Sequence, residues 1–145
     1  MKSTEPPVSI SQHYGCPASR LWTAITDSEQ MRQWYFDNIP DFQPRKGFRT
    51  SFTVDSGERQ FLHLWEVTAV EPGRKIAYSW VYGGYPGKAE AVFHIEEQQE
   101  GSRLNFNFTV QEDFPDTVPE FTRESCLGGW HYFLVENLKL YLANR

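Results

Sequence analysis

The chain has 145 residues, of which 39% are hydrophobic, 16% aromatic and 23% charged. That length suits one domain around one core, and the aromatic load excludes a globally disordered chain. Fourteen Lys and Arg stand against nineteen Asp and Glu, a formal charge of −5 that speaks against a nucleic-acid binder or a polybasic membrane contact. No apolar run approaches the roughly 20 residues that span a bilayer. Residues 1–7, Met1 to Pro7, lack the hydrophobic core of a signal peptide and read as an N-terminal tail, so a cytoplasmic location is expected. Cys16 and Cys126 are too few for a disulfide framework or a four-cysteine zinc site and read as small apolar fillers.

Val8 to Tyr14 alternates apolar and polar residues, as a half-buried strand does. Pro17 suits the first turn of a helix whose apolar face is Leu21, Trp22 and Ile25. Asp27 or Ser28 caps a second short helix carrying Met31, Trp34 and Tyr35. A turn-rich stretch, 37–47, precedes five strand-like runs. Phe48, Thr50, Phe52 and Val54 share a face of the first, and Phe61 to Val70 forms the second. Ile76, Tyr78, Trp80 and Tyr82 share a face of the third, Ala89 to Ile95 of the fourth, and Leu104 to Val110 of the fifth. Short links such as Glu71-Pro72-Gly73 and Glu100-Gly101-Ser102 make this run an antiparallel meander. After Pro119 the spacing turns helical, with Leu127, His131, Leu134, Leu138 and Leu142 on one stripe, widened by Trp130, Phe133 and Tyr141.

A long helix with so broad an apolar face needs a large apolar partner, and the inner face of the sheet is the only candidate. A curved sheet and a straight helix do not touch everywhere, so the fold class is α+β with an aromatic-lined space between the two layers, either filled by side chains or open to a ligand. Gly128-Gly129 inside the helix costs about 1 kcal/mol per glycine relative to alanine, which implies close packing, a kink, or a pocket mouth.

Three stretches carry a family resemblance. Pro17-Ala18-Ser19-Arg20-Leu21-Trp22 through Thr26-Asp27-Ser28-Glu29-Gln30-Met31 to Trp34 resembles the opening of the START-like (SRPBCC) superfamily. The junction Val67 to Trp80 and the final Gly129-Trp130-His131-Tyr132-Phe133-Leu134 to Leu142 resemble one branch of it, stand-alone proteins similar to the C-terminal domain of the activator of heat shock protein 90 ATPase. The resemblance spans about Val8 to Leu142. It implies a single START-like domain over residues 1–145 with a helix-grip (Bet v-like) fold: six curved antiparallel strands wrapped on a long C-terminal helix, and two short helices after the first strand. It also implies a cavity for hydrophobic, lipid-like or aromatic ligands, and for this branch a link to a chaperone and to stress response. No Asn-Asn-Trp-His-Trp-type motif is present.

The candidate ligand-binding residues are Trp34, Phe36, Phe52, His63, Trp65, Tyr78, Trp80, Phe93, Phe106, Trp130, His131 and Leu134, with Tyr35 and Phe108 completing the aromatic set. Rigid rings with a few polar tips suit an apolar ligand; the alternative is an ordinary aromatic core. His63 shares strand parity with Phe61 and Trp65 and should face inward, and His131 lies on the helical stripe. Glu66 faces outward unless a bulge turns it in, where it would serve as an acid/base group. His94-x-Glu96 lacks a third metal ligand, and neither a nucleophile elbow nor a phosphate loop occurs, so no catalytic residue, metal or cofactor is assigned. Phe114 is either a lid or a surface-anchoring aromatic. The leading expectation is a non-enzymatic binder of a small hydrophobic molecule, monomeric or homodimeric. The others are a co-chaperone interaction module, and a cyclase or hydrolase using His131 or Glu66.

Overall fold

Alternation of inward apolar and outward polar side chains produces six strands: β1 (Val8–Tyr14), β2 (Arg49–Asp55), β3 (Gln60–Glu71), β4 (Lys75–Tyr82), β5 (Lys88–Gln98) and β6 (Gly101–Glu112). The structure is a computed structural model that describes residues 1–143. All pairings are antiparallel and the sheet order is β1-β6-β5-β4-β3-β2, so the first strand returns to pair with the last, Val8 opposite Phe108 and Tyr14 opposite Ser102. Register shifts between Val67 and Ala69 and between Lys88 and Ala89 bend the sheet. The outer face is polar, with Ser9 and Ser11 donating to Asn107 and Asn105 across the β1–β6 pair.

Two short helices follow β1, as expected: α1 (Ala18–Thr26) and α2 (Ser28–Trp34). Asp27 caps α2, its carboxylate accepting from the Gln30 N–H at 3.2 Å. Leu21, Ala24, Met31 and Trp34 are buried, and the Trp34 indole N–H donates to the Ala24 carbonyl at 2.8 Å, which ties the two helices together.

The C-terminal helix has three parts: α3 (Arg123–His131), a π-helical stretch (Tyr132–Asn137) and α4 (Leu138–Ala143). Thr122 caps α3, accepting from the Ser125 N–H. In the middle, the Leu138 N–H bonds the Phe133 carbonyl, five residues back. One π turn inserts an extra residue, and since a residue occupies about 100° of an α-helix, everything before it is rotated by about that angle. The buried row is therefore Trp130, Leu134, Leu138 and Leu142, with Cys126 half-buried before it. The regular stripe expected from sequence is corrected here: Leu127 and His131 are both rotated outward.

Two further expectations change. Phe114 is neither lid nor surface anchor; it is buried against Phe121 and Tyr82, and its ring fills the space a side chain at Gly87 (φ 115°) would need. Residues 1–7 lie along the 113–123 segment. The Phe114 N–H donates to the Met1 carbonyl, the Ser3 N–H to Asp113, and Arg123 to the carbonyls of Pro6 and Pro7. No helix among the described residues is long and apolar enough to cross a membrane.

Candidate functional site

The concavity follows from residue size. On β5 the small Ala91 sits between Tyr78 of β4 and Phe108 of β6, and Ala89 sits between Trp80 and Val110. Large rings flank small residues, leaving a trough along the inner face that only a bulky side chain from the helix can reach into. Trp130 does so. Its ring lies 4.1 Å from that of Phe106, 5.3 Å from Trp80 and 5.9 Å from Phe108.

Toward the α4 end the trough is sealed. Trp34 stacks on Tyr35 at 4.6 Å, and Tyr35 stacks on Trp65 while its hydroxyl meets that of Tyr78 at 2.8 Å. Burial pushes both of these phenols far above their ordinary pKa, so the pair is neutral. The Tyr14 hydroxyl donates to the Leu134 carbonyl at 2.7 Å, the oxygen that Leu138 leaves free by bonding Phe133. Asn137 donates to the Trp34 carbonyl. From the loop after α2, Phe42 packs edge-on against Trp65 and Tyr78.

Toward α3 a cavity of about 130 Å³ remains. Its walls are Phe36, His63, Trp80, Tyr82, Phe108, Trp130 and Phe133, and its mouth is formed by Met1, Glu120, Ser125, Cys126 and Gly129. No heavy atom beyond the helix itself lies within 4 Å of where a side chain at Gly128 or Gly129 would start. Both glycines stand at open space, so close packing is not their reason, and Gly129 lines the mouth.

His63 is the polar centre of the wall, buried and stacked on Phe52 at 5.1 Å. Its Nδ1 lies 3.0 Å from the Phe61 carbonyl oxygen and so must donate; Nε2 then carries the lone pair. Desolvation lowers its pKa to about 4, so the ring is neutral near pH 7. Its cross-strand partner Tyr82 is also held neutral by burial. Burial pushes the Cys126 thiol up to about 12, which removes thiolate chemistry at the mouth. Glu120 is already occupied by Ser56 and Arg59. Two buried indole N–H groups, Trp65 Nε1 and Trp80 Nε1, lack a hydrogen-bond partner of acceptable geometry, although Trp80 lies near enough to the Tyr82 hydroxyl to act on its ionisation. Orphan donors of this kind are uncommon in a settled core.

Of the residues chosen from sequence, the structure brings Phe36, His63, Trp80, Phe108 and Trp130 to this cavity. Phe52 backs His63; Trp34, Trp65, Tyr78, Phe93, Phe106 and Leu134 are buried core beyond the cavity wall. His131 does not face the interior: it is exposed and lies 3.4 Å from Glu136. Glu66 faces outward, 3.2 Å from Arg49. Tyr82, Cys126 and Phe133 belong to the site but were not selected, whereas Gly129 was singled out with Gly128 as a possible pocket mouth. Tyr82 shared the inward parity of Tyr78 and Trp80, a signal that was available; Cys126 and Phe133 depended on the helix phase. Four larger hollows lie at the surface among the described residues. The largest of these, of about 680 Å³, runs between β1 and α4 beside Cys16, Arg20 and Lys139; the next, of about 530 Å³, lies on the outer sheet face by Arg49, Leu64 and Glu66. These two each have a single buried ring in the lining, Tyr14 in the first and Trp65 in the second, against several in the cavity under α3. Cys16 and Cys126 are free thiols, and no three His, Cys, Asp or Glu among the described residues cluster as a metal site requires.

A curved six-stranded antiparallel sheet gripping a long C-terminal helix, with two short helices after the first strand, is the helix-grip architecture of the START-like superfamily. Within it, the model of the family described as "Activator of Hsp90 ATPase homolog 1-like protein" matches residues 15–143, and the chain belongs to that family. Among solved structures it is similar to protein CV1439 from Chromobacterium violaceum, with 17% identity and a TM-score of 0.77 over 94% of this chain and 96% of that one. Protein MLL2253 from Mesorhizobium loti gives 22% identity and a TM-score of 0.74 over 95% and 97%. DynU16, from the dynemicin biosynthetic locus, gives 22% and 0.75; 96% of this chain matches, spanning about half (48%) of that one. At these identities the likeness is one of fold. No curated protein matches significantly.

Proposed function

We propose that this protein binds a small apolar, ring-sized molecule in the cavity under α3 without transforming it. The observation that carries the reading is the cavity of about 130 Å³, walled by Phe36, Trp80, Phe108 and Trp130 and entered past Gly129. A dry cavity of about 150 Å³ is known to take benzene. Lipids and drug-sized ligands use about 300–1,000 Å³, so a single ring suits this space better than an acyl chain. Both acid/base suspects, His131 and Glu66, lie at the surface, and the two charged groups at the mouth, Glu120 and the Met1 ammonium, are engaged by Ser56, Arg59 and the Phe121 carbonyl. A cytoplasmic location belongs to the same reading.

The test is titration of the purified protein with benzene and toluene, followed by indole emission, because Trp80 and Trp130 flank the space. Saturable one-to-one binding with a raised Tm is expected. Unsaturable drift and an unchanged Tm sink the reading. A second reading, docking to a chaperone, is favoured by the family description and by Leu127, Tyr132 and Leu140, which stand exposed on the helix. Stimulated ATP turnover by a co-purified chaperone would support it over ligand binding.

A further inference from the structure

The cavity holds two hydrogen-bonding groups that the fold does not use. His63 has one ring nitrogen committed to the Phe61 carbonyl, and its Nε2 lone pair accepts nothing from the described residues. Tyr82 stands directly across from it on β4, the two rings 5.0 Å apart and nearly perpendicular. Its hydroxyl oxygen has the Trp80 indole nearby, while its O–H donates to no carbonyl or carboxylate among the described residues. One idle acceptor therefore neighbours one idle donor on the wall of a cavity otherwise lined by rings. The unpaired donors that are fully buried are the Trp65 and Trp80 indoles; the His63 and Tyr82 groups instead border the cavity, where a ligand would replace water on both.

A carbonyl or ether oxygen in the cavity would accept from Tyr82 and leave His63 idle. An N–H without a lone pair would serve His63 and leave Tyr82 idle. A hydroxyl does both, since it carries one donor and two acceptor lone pairs. Formal charge is not called for on either side: the imidazole is neutral, and of the two charges at the mouth Glu120 is taken by Ser56 and Arg59 and the Met1 ammonium donates to the Phe121 carbonyl. Resting on the ring-binding reading above, we propose that the occupant is a small neutral aromatic ring bearing a hydroxyl, which donates to His63 Nε2 and accepts from Tyr82 O–H while the ring lies among Phe36, Phe108 and Trp130.

Three single-ring probes test it on the unaltered protein: phenol, which donates and accepts; anisole, larger by one methyl group, which only accepts; and toluene, isosteric with phenol, which does neither. Followed by indole emission near pH 7, phenol is expected to bind at least tenfold more tightly than toluene, with anisole well below phenol. The preference arises because toluene strips water from His63 and Tyr82 without replacing it. Tyr82→Phe should bring phenol to within about twofold of toluene, with toluene gaining because one fewer polar group is stripped of water, and His63→Phe should do the same. If toluene binds as tightly as phenol, the hydroxyl assignment is overturned and ring binding stands. If phenol affinity survives both substitutions, the assignment is likewise overturned. If none of the three probes saturates, both the assignment and the ring-binding reading fall.

Discussion

The two ends of the helix–sheet interface obey different rules. Around α4 the polar groups that reach the interior are paired except for the Trp65 indole: Tyr14 bonds the Leu134 carbonyl, Asn137 the Trp34 carbonyl, Tyr35 bonds Tyr78, and Trp34 bonds Ala24. Leu134, Leu138 and Leu142 fill the remainder. Around α3 the helix buries only Trp130, two glycines stand at open space, and His63, Tyr82 and Trp80 keep unused hydrogen-bonding capacity. One end is built for stability and the other leaves room. The π stretch joins them and sets the phase of each half separately.

The sharpest way to break that contrast is at Trp130. Trp130→Ala should cost about 3–5 kcal/mol in urea unfolding, as truncation of a buried aromatic does, and should merge the cavity with the trough so that two-ring ligands enter. A loss below about 1 kcal/mol would show that the sheet closes over the gap without it.

Acidification should act on the hollow end next. Burial lowers the folded pKa of His63 to about 4 from its ordinary value of 6.5, so the unfolded chain takes up the proton first. Stability from this residue is complete above about pH 6.5 and is lost as pH falls toward 4, by about 3 kcal/mol. Urea titrations across that window should show the decline, and His63→Phe should flatten it.

At the sealed end, Tyr14→Phe strands the Leu134 carbonyl and should cost about 1–3 kcal/mol, with no change in ring binding. An equal loss of ligand affinity would show that the two ends are not separate. The smallest effect should be a gain. Gly128→Ala and Gly129→Ala should each add about 1 kcal/mol, because the positions are helical and unobstructed. Only Gly129→Ala should slow ligand entry, since Gly129 alone of the pair lines the cavity.

Most of the sheet was legible because a strand's period of two is rigid: once Phe61 and Trp65 face inward, His63 must follow, and it does. Bulges did not spoil this, since the shift at Val67–Ala69 lies beyond the residues that build the site. The caps were legible too, Asp27 and the Pro17 start being local chemistry. The helix was harder. Cys126 and Trp130 occupy the inward places that a regular period assigns to Leu127 and His131, so His131 was placed inside and Cys126 and Phe133 were overlooked.

The order of elements, the antiparallel meander and the inward rows of the strands were determined by the amino-acid sequence alone, because each depends on residues a few positions apart. Which side of α3 meets the sheet was decided only in the folded molecule. A single wide turn, held by the Tyr14 hydroxyl from β1, 120 residues away along the chain, rotates that half of the helix. The size of the cavity was decided there as well, because it is the difference between what Trp130 fills and what the alanines of β5 leave empty.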